Sequence, residues 1–252
     1  MTIEATIEPR RPRRATVLVA AAVVAMSLAG VTARVALAGT STNRYLTASR
    51  SVDVLRSAFD ASSGRRIQEP RVVVAPTSAT TWGLSDEVNI ANRAWNPRAG
   101  RPWAHGDAKA MWPGGMGGFT DPVTGAIYIN AQTAVESHVP HEVLHANASP
   151  DFLAAVGVAV NEGVTEQLAL DALAAAGVKA EADPAYPQER ELAADIVKIT
   201  GRDRLVQAYF NGGDRLAEFV AAIGADTLAK VRSASAAGNV SGARAALQSL
   251  SR

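Results

Sequence analysis

Hydrophobic positions change period along this chain. Arg71-Val72-Val73-Val74-Ala75-Pro76 is a short β-branched run and reads as the first strand of a domain. Ala126-Ile127-Tyr128-Ile129-Asn130 alternates apolar and polar residues and reads as another strand. Further on, the apolar spacing lengthens to three or four. One helix is predicted from near Ser137 or Pro140 to just before Pro150, since proline is tolerated in a first helical turn. A second opens at Asp151, carries Phe152, Val156, Val160, Val164, Leu168 and Leu173, and closes at Gly177. Past Asp183-Pro184-Ala185-Tyr186-Pro187 the pattern is of short helices, broken at Gly201, Asn211-Gly212-Gly213 and Gly238.

Two helical patterns precede these. Val52, Leu55, Ala58 and Phe59 mark one that ends near Ser63-Gly64. Ser85-Asp86-Glu87 looks like the start of the other, which runs through Val88, Ile90 and Ala91 toward Trp95 and stops at Asn96-Pro97. Together the elements predict an α+β fold: a small N-terminal sheet, a helix beside it, and a mostly helical C-terminal part. Residues 39–68 are read as a linker and one surface helix, and 69–252 as the domain itself.

Residues 96–125 crowd Pro and Gly around Trp103, Trp112 and Gly114-Gly115-Met116-Gly117-Gly118. Such a segment either rims a site, with Trp as apolar contacts, or is a surface loop pinned by buried Trp. Gly115–Phe119 can pair with the strand at 126–130 as a hairpin. Gly157 and Gly163 lie inside a helical run, where glycine destabilises unless it bends the helix or allows close approach. Gly163 predicts close approach to the helix that starts near 137–140.

Charge alters the picture only at the amino terminus. Of 25 basic and 24 acidic residues, five Arg and two Glu fall within residues 1–38, which leaves the remainder slightly acidic. That remainder has no basic surface of the kind nucleic acid needs. Arg10-Arg11-Pro12-Arg13-Arg14 precedes an uncharged apolar run from Ala15 to Ala33, an arrangement that holds the arginines in the cytoplasm and sends the chain beyond the run outside. Ala36-Leu37-Ala38-Gly39 offers a signal-peptidase site. Residues 1–38 are therefore a signal peptide or a membrane anchor, and the domain is expected to be extracytoplasmic, secreted or anchored, with membrane contact through this segment only. Absence of cysteine excludes disulfides and thiolate metal sites.

The chemistry concentrates in His141-Glu142-Val143-Leu144-His145 and, downstream, Asn161-Glu162-Gly163-Val164-Thr165-Glu166. Residues four apart on a helix share a face, so both imidazoles can reach one ion. Catalytic zinc takes three protein ligands and keeps one open position. His141 and His145 supply two ligands, and Glu162 is the candidate for the third. Glu142 sits off that axis and can act as a base toward a water.

H-E-x-x-H followed by N-E-x-x-[ST]-[DE] resembles the gluzincin metallopeptidases, the thermolysin-like group; the likeness covers roughly residues 126–177. The resemblance implies a zincin-like fold, a Zn2+ cofactor, a peptide or protein substrate, and hydrolysis by a metal-activated water with Glu142 as general base. It further implies that Glu166 accepts a hydrogen bond from His141, and that an edge strand upstream of the metal helix, Gly115–Phe119 here, holds substrate backbone. Thermolysin-like enzymes stabilise the oxyanion with a tyrosine and a histidine, but no histidine occurs after His145 in this chain. Tyr186, in a Pro-bracketed loop, is the candidate donor, whereas Tyr209 fits a core position. His138 falls at the helix start as a cleft residue rather than a ligand, and His105 is expected to be a solvent-exposed loop residue. The alternative function is a non-catalytic, zinc-stabilised binding protein on a peptidase scaffold.

Overall fold

Three short strands form a mixed sheet whose central member is the alternating segment. In the computed structural model, which describes residues 45–96, 98–183 and 186–251, β1 (Val72–Ala75) pairs in parallel with β5 (Ile127–Asn130). β4 (Gly118–Thr120) pairs antiparallel on its other side, with Gly118 opposite Ile129 and Thr120 opposite Ile127. Ile127 and Ile129 are fully buried. A sheet this small needs a helix against it to be stable. α4 (His138–Asn147) supplies one, with Val139, Val143 and Leu144 buried.

α1 (Ala48–Ser63) is built as the sequence pattern predicts, from Thr47, whose side chain accepts the Arg50 N–H, to a left-handed Gly64. Its role differs from the surface helix expected. Val52, Leu55 and Phe59 are completely buried, and Phe59 meets Phe210 with ring centroids 5.6 Å apart. The apolar stripe belongs to the main core, so the compact unit includes this helix. The signal or anchor segment, residues 1–38, lies outside the described residues. No helix among the described residues is long and apolar enough to cross a membrane.

α2 (Ser78–Ala91) starts seven residues before Ser85, capped by Thr77. Ser85 and Asp86 are therefore inside a helix and buried. The Asp86 carboxylate instead accepts from Gly106 N, Ala108 N and Trp103 Nε1 at 2.6, 2.9 and 2.8 Å, and so serves the first turn of α3 (Asp107–Met111). The rest of the 96–125 segment is fastened by carboxylates too. Asp107 takes both terminal guanidinium nitrogens of Arg101, which lies on the small hairpin of β2 (Trp95–Asn96) and β3 (Arg101–Pro102); the Arg101 hydrogen bonds hold its carboxyl down to about 2. Asp121 accepts from Asn92 Nδ2, Val123 N and Thr124 Oγ1. Buried aspartates, not buried tryptophans, pin this loop. Trp112 is 38% exposed and stacks on half-buried Trp103.

The predicted second long helix is two. Gly157, at φ 82°, ends α5 (Pro150–Val156) and starts α6 (Val158–Ala175). α7 (Pro187–Thr200), α8 (Arg202–Asn211), α9 (Gly213–Ile223), α10 (Ala225–Ala236) and α11 (Val240–Gln248) complete the chain, with junctions at the glycines expected and a further one at Gly224. Tyr209 is a core residue, fully buried against Phe152 and Phe210, and its hydroxyl meets Thr165 Oγ1 at 2.8 Å.

Gly163 does permit a close approach, but to a different partner than the sequence suggested. A Cβ there would lie 2.0 Å from the Glu189 carbonyl oxygen on α7, not against α4. That contact is backbone to backbone, so it cannot be relieved by a rotamer change. Gly163→Ala should lower stability by about 1–3 kcal/mol, as overpacking does. Denaturant unfolding measures it, and an unchanged midpoint would mean that α6 and α7 are not in this contact.

Candidate metal centre

α4 presents its polar residues as one fan. At about 100° per residue, His138, His141, Glu142 and His145 all fall within a sector of about 100°, while Val139, Pro140, Val143 and Leu144 fill the remainder of the circumference. Those four apolar residues are buried, which fixes how the fan points. α6 runs opposite and brings Asn161, Glu162, Thr165 and Glu166 to the same space.

His141 Nε2 and His145 Nε2 are 2.9 Å apart. Glu162 Oε2 is 3.2 Å from the first and 3.3 Å from the second. Three ligand atoms so close together can hold a metal ion. Two imidazole nitrogens facing one another at 2.9 Å need a hydrogen on one of them or a metal ion between them. The electrostatics reflect the same demand. Burial works to lower the His141 pKa, but hydrogen bonds to Glu162 and Glu166 carry it well above the ordinary histidine value. Burial works to raise Glu162, yet His145 and His141 hold its carboxyl well below the usual range.

Both ring orientations are set from behind. Glu166, with no solvent exposure, places Oε2 2.9 Å from His141 Nδ1, so it is not a solvated helix charge. Its other oxygen accepts the Asp183 N–H at 2.8 Å. Burial acts to raise Glu166 as well, and the hydrogen bond and charge of His141, together with the Asp183 N–H, outweigh it and lower its pKa. Asn161 stands 3.2 Å from His145 Nδ1 through Nδ2, while its own Oδ1 is buried without a partner. A half-turn of that amide brings Oδ1 to the ring. His145 Nδ1–H then donates to it, and the Nε2 lone pair is left for the ion. The motif contained Asn161, but only the fold gives it this role.

Glu142 lies beside the ligand group without joining it. The carboxylate is buried, and Oε2 accepts from Thr120 Oγ1 at 2.7 Å. Thr120 belongs to β4, and nothing in the sequence marks it; its place comes from the pairing of β4 with β5. The strand itself is shifted from the expected Gly115–Phe119 to Gly118–Thr120. Asn130 Nδ2 and Thr133 Oγ1 both donate to Met116 O, which ties the first part of that run down as a turn. β4 lies at an edge of the sheet, with a strand on one side only among the described residues.

Of the two downstream tyrosines, only Tyr186 reaches the site. Its ring stacks on His141 with centroids 5.7 Å apart and planes 6° from parallel. Burial, then the nearby Glu162 charge, pushes its phenol far up, so it stays protonated and able to donate. His138 Nε2 faces Asp183 Oδ2 at 2.9 Å, apart from the ligand group. His105 is exposed, 3.8 Å from Glu87.

Compared with known proteins, the chain matches no family model, no curated protein and no solved structure. The candidate metal site therefore stands on its own residues and their geometry.

Glu166 holds His141 at Nδ1 and is not one of the three residues that could take a metal ion. Glu166→Ala should weaken zinc affinity by about ten- to a hundredfold while leaving the site able to bind. Competition against a chromogenic chelator reads this directly. Equal affinity in wild type and variant would show that His141 needs no orienting partner.

Proposed function

We propose that this protein is an extracytoplasmic zinc-dependent peptidase of zincin-like build, secreted or held by its N-terminal segment. The observation that carries the reading is the triangle of His141 Nε2, His145 Nε2 and Glu162 Oε2, with edges of 2.9–3.3 Å. Ligands about 2.0–2.1 Å from a tetrahedral zinc stand about 3.3–3.4 Å from each other, and two imidazoles with one carboxylate are a catalytic zinc set that leaves a fourth position open. A purely structural site would close that position. It would also have no use for Glu142, a buried carboxylate next to the triangle and outside it.

Zinc, when bound, supplies Lewis-acid polarisation of a carbonyl and a lowered pKa for water. The chain's own groups do the rest. Glu142, held at one oxygen by Thr120, keeps its other oxygen for the attacking water. It takes the proton as the water adds to the scissile carbonyl carbon, then delivers that proton to the leaving amine nitrogen as the C–N bond breaks. Tyr186 O–H donates to the developing oxyanion. β4 gives an extended peptide an edge to pair with. Arg10-Arg11-Pro12-Arg13-Arg14 ahead of the apolar run supports export.

One observation favours a second reading, that of a zinc-stabilised binding protein without activity. No histidine occurs after His145, so Tyr186 has no downstream histidine as a second oxyanion donor. The two readings separate on one experiment. The wild-type chain should cleave members of a peptide library, and Glu142→Gln should retain zinc and fold but lose about a hundred- to ten-thousandfold in rate. Equal cleavage by both proteins would remove Glu142 as the base. Zinc binding by both with no cleavage by either would establish the binding protein.

A further inference from the structure

His138 takes no part in the ligand triangle, yet it is 8% exposed in its side chain and fully committed. Its Nδ1 accepts the Val135 N–H at 2.7 Å, so Nδ1 carries no proton and Nε2 does. That Nε2–H points at Asp183 Oδ2, 2.9 Å away, in a carboxylate whose side chain is only 14% exposed. Asp183 lies in the connection between α6 and α7 that also carries Tyr186, and its backbone N–H donates to Glu166. The ring also fills the space beside Gly117, where an added Cβ would lie 1.8 Å from His138 Nε2. Gly117 is the residue immediately before β4.

We propose that His138 is a positioning residue of the site: it latches the Tyr186 connection to the first turn of α4 and forms the wall on which the start of β4 rests. The consequence is geometric. Tyr186 and the edge strand approach the ligand helix from separate parts of the chain, and His138 touches the structures carrying both. Removing its ring leaves the Asp183 carboxylate without its imidazole donor and opens a space under Gly117. The connection then loses its tie to His138, while the Glu166 tie and the metal ligands remain.

Two readouts test this in the full-length protein. The first is hydrogen–deuterium exchange over residues 178–186, which needs no catalysis. His138→Ala should speed exchange there by about tenfold or more, the scale of losing a hydrogen bond to a charged group, while α4 and α6 exchange as in wild type. Asp183→Ala, which leaves α4 intact, should reproduce the change, and His138→Gln, which keeps a donor toward Asp183, should restore slow exchange. The second readout rests on the peptidase reading: kcat should fall on the order of a hundredfold in His138→Ala with zinc content unchanged and KM little altered, because a catalytic group has been misplaced rather than a substrate contact removed. Unchanged exchange in both alanine variants would overturn the latch. So would acceleration spread evenly over α4 and α6, or failure of glutamine to restore the connection. If the wild type cleaves nothing, the peptidase reading fails and exchange alone decides the latch.

Discussion

Everything in this molecule that concerns function depends on gathering charged groups between two helices and then neutralising them. Glu142, Glu162 and Glu166 converge on His141 and His145, with Glu142, Glu166 and His141 buried and the other two partly exposed. Carboxylates cannot be brought that close in a protein interior without compensating positive charge. A proton on His141, held strongly because Glu162 and Glu166 hydrogen-bond its ring, supplies part of it in one state. A divalent ion would supply two positive charges with the imidazoles neutral and would take the facing Nε2 lone pairs. The group of His141, His145 and Glu162 could hold a metal ion, and metal uptake there should be coupled to proton release.

The fold makes this possible by loading one short helix on several sides. α4 turns its apolar residues into the core and its polar fan toward three neighbours. His141 and His145 meet α6, Glu142 meets Thr120 on β4, and His138 meets the connection that carries Tyr186. Each neighbour is itself anchored elsewhere. Gly163 lets α6 lie against α7, and the 96–125 segment that feeds β4 is fastened by Asp86, Asp107 and Asp121. Glu166 joins two of the neighbours, bonding both His141 and the Asp183 backbone.

How much of this the sequence revealed depends on how local each interaction is. The grouping of His141, His145 and Glu162 was legible because its signal is helical spacing: residues 141 and 145 share a face by geometry alone, and residues 162 and 166 do so again. Tyr186 over Tyr209 was legible from the contrast between a Pro-bracketed loop and an apolar helix. Thr120 and His138 were not, since their roles arise where β4 and a distant loop fold back on α4. Ser85-Asp86-Glu87 misled for a specific reason. The acid does cap a helix, but it caps α3, some twenty residues on, while sitting within α2. α1 was underrated because its polar flanks resemble a linker, whereas the apolar stripe of Val52, Leu55 and Phe59 is buried in full.

The central claim is that two imidazoles and one carboxylate hold a zinc ion with a position left open. X-ray absorption at the zinc edge of the metal-loaded protein tests it most directly. The account predicts a four-coordinate shell of nitrogen and oxygen at about 2.0–2.1 Å, with the outer-ring scattering of two imidazoles and one light ligand that exchanges with solvent. A shell with fewer than two imidazoles, or a closed shell with no exchangeable ligand, would contradict it.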